Sequence, residues 1–284
     1  MKHAALSLVL VFTTALLPLH AHPQASEIPS AAASPANGQT QEQRGRALLA
    51  QMVEALGGDA WLHRKDMTVR GRTAAFFHGA PNGSVVEYSG NRQFPTEGRP
   101  EAERIGFITD KSMFFPGKKV DIVQVWVNGN GYEVTYKGRI ALPKEQVEDY
   151  FRRRNHSIES VISDWIKQPG VMVIAEGSSM VERRPADKVS VLSANNDAVT
   201  IELDAATHLP LRRTFEWRNL EFKDHDEDAE QYDDYHVIQG LPTALTLTRY
   251  HNGDMTSQRF LSKVEYNTNL SPDLFNPDNL LKKK

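Results

Sequence analysis

Between residues 67 and 266 the chain keeps returning to a two-residue rhythm of apolar and polar side chains, broken by short clusters of Gly, Pro and Asn. A strand turns alternate side chains to opposite faces, whereas a helix repeats every ~3.6 residues, so this rhythm commits most of the chain to strands. Segments 67–78, 84–94, 102–109, 119–127 and 132–137 carry it first. Segments 171–181, 188–192, 198–203, 209–217, 235–239, 244–251 and 257–266 carry it again. Asn128-Gly129-Asn130-Gly131 and Asn252-Gly253 accept the positive φ of tight hairpins. Strands joined by connections this short pair antiparallel.

Two blocks break the rhythm. In Gln41–Leu56 the residues Leu48, Leu49, Met52, Val53 and Leu56 form one helical stripe, and Gly57-Gly58 ends it. In 143–168 Pro143 fits a first helical position, and Val147, Tyr150, Phe151, Ile158, Val161, Ile162 and Trp165 share a face. Asn155 and Ser157 predict a break into two helices, and Pro169-Gly170 stops the block. Arg152, Arg153 and Arg154 fall in its middle and read as a solvated face. A twisted sheet of roughly ten strands tends to curl. With so few helices to cover it, the expected fold is α+β: a curved antiparallel sheet forming an incomplete β-barrel capped by helices. Strands apolar on both faces, such as Ile122-Val123 and Val171-Met172-Val173-Ile174, point to an apolar hollow inside it.

Residues 1–25 read as a secretory signal. Lys2 and His3 precede a run over 4–17 that is apolar apart from Ser7, Thr13 and Thr14. That run is shorter than the ~20 residues a bilayer requires. Residues 26–40 are small, polar and proline-containing, a flexible leader, and 41–284 are expected to form a single domain. The reading is an exported, periplasmic protein with no transmembrane anchor after cleavage. The absence of cysteine excludes disulfides, thiolate metal sites and Cys nucleophiles. With 33 Lys+Arg against 36 Asp+Glu there is no charge bias toward nucleic acid.

Motifs for chemistry are few. Gly177-Ser178-Ser179 lacks the pattern of a nucleophile elbow, and Gly129-Asn130-Gly131 lacks the third glycine of a dinucleotide loop. The acidic run 224–230, with Asp233, Asp234 and His236, is the densest set of oxygen ligands. Its Asp224, Asp226 and Asp228 resemble the opening of a calcium loop, but Ala229 replaces the glycine and Tyr235 the final glutamate. It reads as a solvated acidic loop between strands. The histidines show no ligand spacing. The expectation is no enzyme, no metal and no cofactor.

The order of elements resembles the LolA/LolB-like superfamily, in particular outer-membrane lipoprotein-sorting proteins. The residues that carry the likeness are the helix ending Ala55-Leu56-Gly57-Gly58 and the strand into Val69-Arg70-Gly71. Ile201-Glu202-Leu203-Asp204 with Thr207-His208-Leu209-Pro210 adds the family's strand-turn-strand. Tyr232-Asp233-Asp234-Tyr235 with Gly240-Leu241-Pro242, and the close through Val264-Glu265-Tyr266-Asn267 and Leu274-Phe275, complete it. The resemblance implies a cavity that binds the acyl chains of lipids or lipoproteins, with an envelope acceptor protein as a further partner. Phe77, Tyr88, Phe107, Trp126, Ile162, Trp165, Phe215 and Trp217 are the expected cavity residues. An envelope interaction or regulatory module on the same fold is the alternative, and an exported hydrolase with an unrecognised site a lower one.

Overall fold

The computed structural model describes residues 38–110, 118–218 and 225–281. The secretory segment 1–25, most of the leader and Asp224 lie outside the described residues. The helix α1 (Gln41–Leu56) and the single turn α2 (Asp59–Leu62) come first. Strands β1 (Asp66–Phe77), β2 (Ala80–Pro81), β3 (Val86–Gln93) and β4 (Ala102–Asp110) follow. Then come β5 (Lys118–Val127), β6 (Asn130–Val134) and β7 (Arg139–Ala141). The helical block resolves into α3 (Lys144–Asn155), α4 (Ile158–Ser163) and a 3-10 turn, Trp165–Lys167. Strands β8 (Met172–Val181), β9 (Arg184–Leu192), β10 (Ala198–Asp204) and β11 (Pro210–Arg218) return. The last strands are β12 (His225–Ile238), β13 (Leu241–His251) and β14 (Asp254–Tyr266), before a closing 3-10 turn at Pro272–Phe275.

The strands form one antiparallel sheet in the order β7-β6-β5-β4-β3-β1-β14-β13-β12-β11-β10-β9-β8, with β2 paired to β1. From β1 the chain meanders outward to the β7 edge. It then restarts at the opposite edge, β8, and meanders back until β14 pairs with β1, Met67 opposite Tyr266. The segment between β7 and β8 therefore has to travel from one edge of the sheet to the other, and it carries α3 and α4. The sheet is curved. Glu103 of β4 and Pro210 of β11 border one cavity, yet in a flat sheet the six strand spacings between them, at ~4.8 Å each, would part them by ~29 Å.

Helix α1 starts at a capping box, Thr40 accepting from the Gln43 amide at 3.1 Å while Gln43 accepts from the Thr40 amide at 2.9 Å. Its stripe Leu48, Leu49, Met52 and Leu56 is buried with Val173, Ala175, Val189, Val191, Val199 and Ile201 of β8–β10. Gly45 permits this contact, since a Cβ there would lie 3.0 Å from the Ala175 backbone nitrogen. A smaller cluster, Val123, Val125 and Val134, lies apart from this core and packs against Leu281. The chain after β14 is held by Asp66, whose carboxylate accepts from the Thr268 amide (2.7 Å), the Thr268 hydroxyl (2.8 Å) and the Leu270 amide (3.2 Å).

Three readings of the sequence are corrected. The acidic run is not a loop: residues from His225 onward belong to the long strand β12, because its carboxylates find cationic partners on neighbouring strands. Pro143 is the N-cap of α3, one position before the helix. The arginines of α3 do not form a solvated face, for Arg153 and Arg154 border the cavity beneath the helix.

Candidate functional site

Beneath α3 and α4 the concave face encloses a cavity of about 200 Å³. Part of its wall is apolar: Leu56, Trp61, Met67, Phe94, Ile158, Leu247 and Leu261. Much of the rest is charged, with seven arginines and three glutamates among the described lining residues, and Tyr232, Tyr235 and Tyr266 add hydroxyls. The expected apolar hollow is present only in part, for its floor is polar. A buried charge needs a partner, and the pairing explains how so many fit.

Glu159 of α4 receives Arg64 at 2.8 Å and Arg92 at 3.5 Å. Burial opposes its ionisation, but Arg92 and Arg64 prevail and hold its carboxyl below the usual range. Arg64 also donates to the Trp61 carbonyl at 2.6 Å and lies between the Trp61 and Phe94 rings, 4.3 and 4.4 Å from their centroids. Glu101 takes Arg92 at 2.8 Å and also Arg154 of α3. These pairs clamp both helices to β3 and to the chain before β4.

A second group sits on the floor formed by β11–β14. Glu230 of β12 accepts from Arg249 at 3.0 Å, from the Tyr232 hydroxyl at 3.1 Å and from Arg213 at 3.5 Å. Burial would raise its carboxyl, yet Arg249 and Arg213 bring it down to about 2. Arg213 is 2% exposed, and its Nε and one Nη have no acceptor. Arg259 of β14, at the same cavity, has no hydrogen-bond or ion-pair partner among the described residues.

Helix α3 has no buried residue. It is held by contacts of its side chains with the strands below. Tyr150 stacks on Trp126 of β5 at 3.9 Å and donates to Glu103 of β4 at 2.5 Å. Burial, then Glu103, pushes the Tyr150 phenol well above its usual range, so it remains a donor at neutral pH. Arg152 lies 4.5 Å over the Trp217 ring. Where α3 ends, His156 stacks on Phe215 at 4.4 Å, and its Nδ1 donates to the Arg152 carbonyl at 2.7 Å.

Tyr88, Ile162, Trp165 and Phe215 are buried in the main core, with Phe107 and Trp217 half-buried against it. Trp126 is buried beneath Tyr150. Phe77, 65% exposed at the end of β1, stands apart from the others. None of the eight borders the 200 Å³ cavity. The residues that do, above all Arg213, Arg249 and Arg259, were passed over in the sequence, although a signal exists. Arg213 shares strand parity with Phe215 and Trp217, Arg249 with Leu245 and Leu247, and Arg259 with Leu261. An arginine on an apolar face is a buried cation in need of an anion.

Among the described residues no three His, Asp or Glu side chains are grouped to hold a metal ion, and no helix is long and apolar enough to cross a membrane. No family model and no curated protein matches the sequence. Solved structures do match. A DUF1329 family protein from Desulfovibrio piger aligns with a TM-score of 0.54 at 13% identity, over 84% of this chain and 98% of that one. A protein described as an outer membrane lipoprotein-sorting protein domain, from Vibrio parahaemolyticus, gives 0.52 at 13% identity, over 82% and 97%. A LolA superfamily protein from Nitrosomonas europaea aligns at 0.47 and 10% identity, over 81% and 96%. At these identities the likeness is one of fold. The chain shares the fold of the Desulfovibrio and Vibrio proteins, an antiparallel sheet that is curved, left open and capped by helices.

Proposed function

We propose that this protein is a non-catalytic carrier or chaperone of the periplasm that holds acyl chains of a lipid or lipoprotein in the hollow beneath α3 and α4. The observation that carries this reading is the flap: a helix with no buried residue of its own spans the concave face of the sheet over a cavity with an apolar wall. At about 200 Å³ the cavity is smaller than the ~300–1,000 Å³ of ligand pockets, so loading requires α3 to rise. Raising it uncovers Trp126 and Trp217, and we assign these two, with Tyr88, Phe107, Ile162, Trp165 and Phe215, to the acyl-contacting wall. Phe77 is assigned to the rim. An acyl chain of ~15 methylenes gains ~12 kcal/mol from burial before ordering costs, enough to lift a flap held by a few polar contacts.

Mass spectrometry of the gently purified full chain tests the reading. Co-purified lipid is the expected result, and repeated clean spectra of the bare protein would overturn it. Export through cleavage within residues 1–25 belongs to the same reading and is checked by sequencing the amino terminus of the secreted chain. The small cavity favours a second reading, an envelope protein-interaction or regulatory module whose interior stays closed. A partner captured from envelope extract by protein that carries no lipid would support that one instead.

A further inference from the structure

The floor of the hollow carries more positive charge than its own carboxylates answer. Glu230 is shared by Arg213 and Arg249, and Arg259 makes no ion pair or hydrogen bond with a described residue, Glu103 and Glu230 acting on it only at longer range. Glu101 and Glu159 are occupied by Arg64, Arg92 and Arg154, and Glu103 is held by Tyr150. Counted over the whole hollow, the six guanidinium groups of Arg64, Arg92, Arg154, Arg213, Arg249 and Arg259 face the four carboxylates of Glu101, Glu103, Glu159 and Glu230, a surplus of about two charges out of bulk water, a state that costs several kcal/mol per ion unless an anion completes it. Arg213 gives the second and independent sign, since it is 2% exposed with two N–H groups lacking any acceptor. It also borders a second cavity, about 380 Å³, together with Arg153, Arg249 and His251 and with two carboxylates, Asp149 and Asp228, that are paired to Arg153 and His251, so the cluster can be approached from that side.

We propose that Arg213, Arg249 and Arg259 form a binding site for a phosphate monoester carried at the head of the amphiphile whose chain occupies the hollow. A phosphate monoester bears about −1.5 to −2 charges at neutral pH, which matches the surplus, and its three terminal oxygens suit the planar fork of arginine. The Arg249 cation, ahead of burial, holds the Arg259 guanidinium below the usual arginine range, although Glu103 and Glu230 pull the other way. The apolar wall of Leu247, Leu261 and Met67 borders the same cavity and leads the chain away from the phosphate. The proposal rests on the carrier reading and deepens it.

The test is calorimetric titration of the full, delipidated chain with octyl phosphate, octanol and inorganic phosphate. Octyl phosphate is expected to bind at least about tenfold more tightly than octanol, the effect of one charge-assisted hydrogen bond or more. Arg259→Gln should bring octyl phosphate down to the octanol level and leave octanol unchanged, while Arg259→Lys restores part of the difference. Arg259 is half-buried and unpaired, so these variants keep the fold, which circular dichroism verifies; Arg213→Gln is avoided because that side chain is buried. Equal affinity for octyl phosphate and octanol overturns the phosphate site and leaves the carrier reading standing. Inorganic phosphate binding as tightly as octyl phosphate, with octanol not binding, overturns the head-group assignment in favour of a free-anion site. No binding of any probe overturns site and carrier reading together.

Discussion

Glu230 is the residue on which the floor of the hollow depends. It joins β11, β12 and β13 through Arg213, Arg249 and Tyr232, and removing one partner of a buried pair leaves the others unanswered. Glu230→Gln is therefore expected to lower stability at pH 7 by ~3–5 kcal/mol, measured by urea unfolding. The pH dependence has a definite sign. Because the folded carboxyl titrates near 2, below the ~4.3 of an unfolded glutamate, its contribution is complete above about pH 4.3 and fades as pH falls toward 2. The wild type should lose stability across that window more steeply than Glu230→Gln; parallel curves would remove the carboxylate from the account. His156 adds an acid-side term of its own. Burial holds its imidazole below the usual range, so protonation favours the unfolded chain as pH drops below ~6.5.

At the scale of elements, two close contacts are sensitive to small changes. Where β1 meets β14 the register shifts between Arg70 and Gly71, and a Cβ on Gly71 would lie 2.3 Å from the Phe260 carbonyl oxygen. Gly71→Ala has to push the backbone apart, with an expected loss of ~1–3 kcal/mol by thermal or urea unfolding. Asp66, itself buried, holds the segment after β14 by three hydrogen bonds, and Asp66→Ala leaves the Thr268 and Leu270 amides without that acceptor. It should cost ~2–4 kcal/mol and expose the chain after Tyr266 to limited proteolysis before the sheet itself is cut.

These elements also mark how far the sequence could be read. Helix α1, the hairpins at Asn128-Gly129 and Asn252-Gly253 and the break between α3 and α4 were legible because each is written in local terms: a stripe, a positive-φ turn, a cap. The acidic first part of β12, 225–234, was not, for Asp and Glu are poor strand formers, and what makes them acceptable there lies on other strands, Arg213 and Arg249. The ion pairs of the hollow are equally remote in sequence, Arg64 to Glu159 across 95 residues and Arg154 to Glu101 across 53. Periodicity predicted that the sheet would enclose something. It carried no account of charge on the inner face, because alternation tells which side chains share a face and not which carboxylate from a distant strand meets them.

Taken as a whole molecule, the protein divides into a part that is locked and a part that is tethered. The first and last strands pair in the middle of the sheet, so neither terminal strand forms an edge that can fray, and α1 is sealed to β8–β10 by four buried side chains. Helix α3 crosses the concave face because β7 and β8 lie at opposite edges, and it holds on through Tyr150, Arg152 and Arg154. Opening free energy follows buried apolar contact, so the amides of α3 should exchange with solvent deuterium well before those of α1 and β8–β10. Tyr150→Phe breaks the bond to Glu103 but keeps the ring on Trp126, and should speed exchange in α3 by about tenfold at most, whereas Trp126→Ala removes the platform and should speed it further. Octyl phosphate should slow α3 exchange if the flap closes over cargo. Protection of α3 equal to that of α1 in the free protein would mean that the helix is a fixed roof, and a carrier with a fixed roof over 200 Å³ has no way to load.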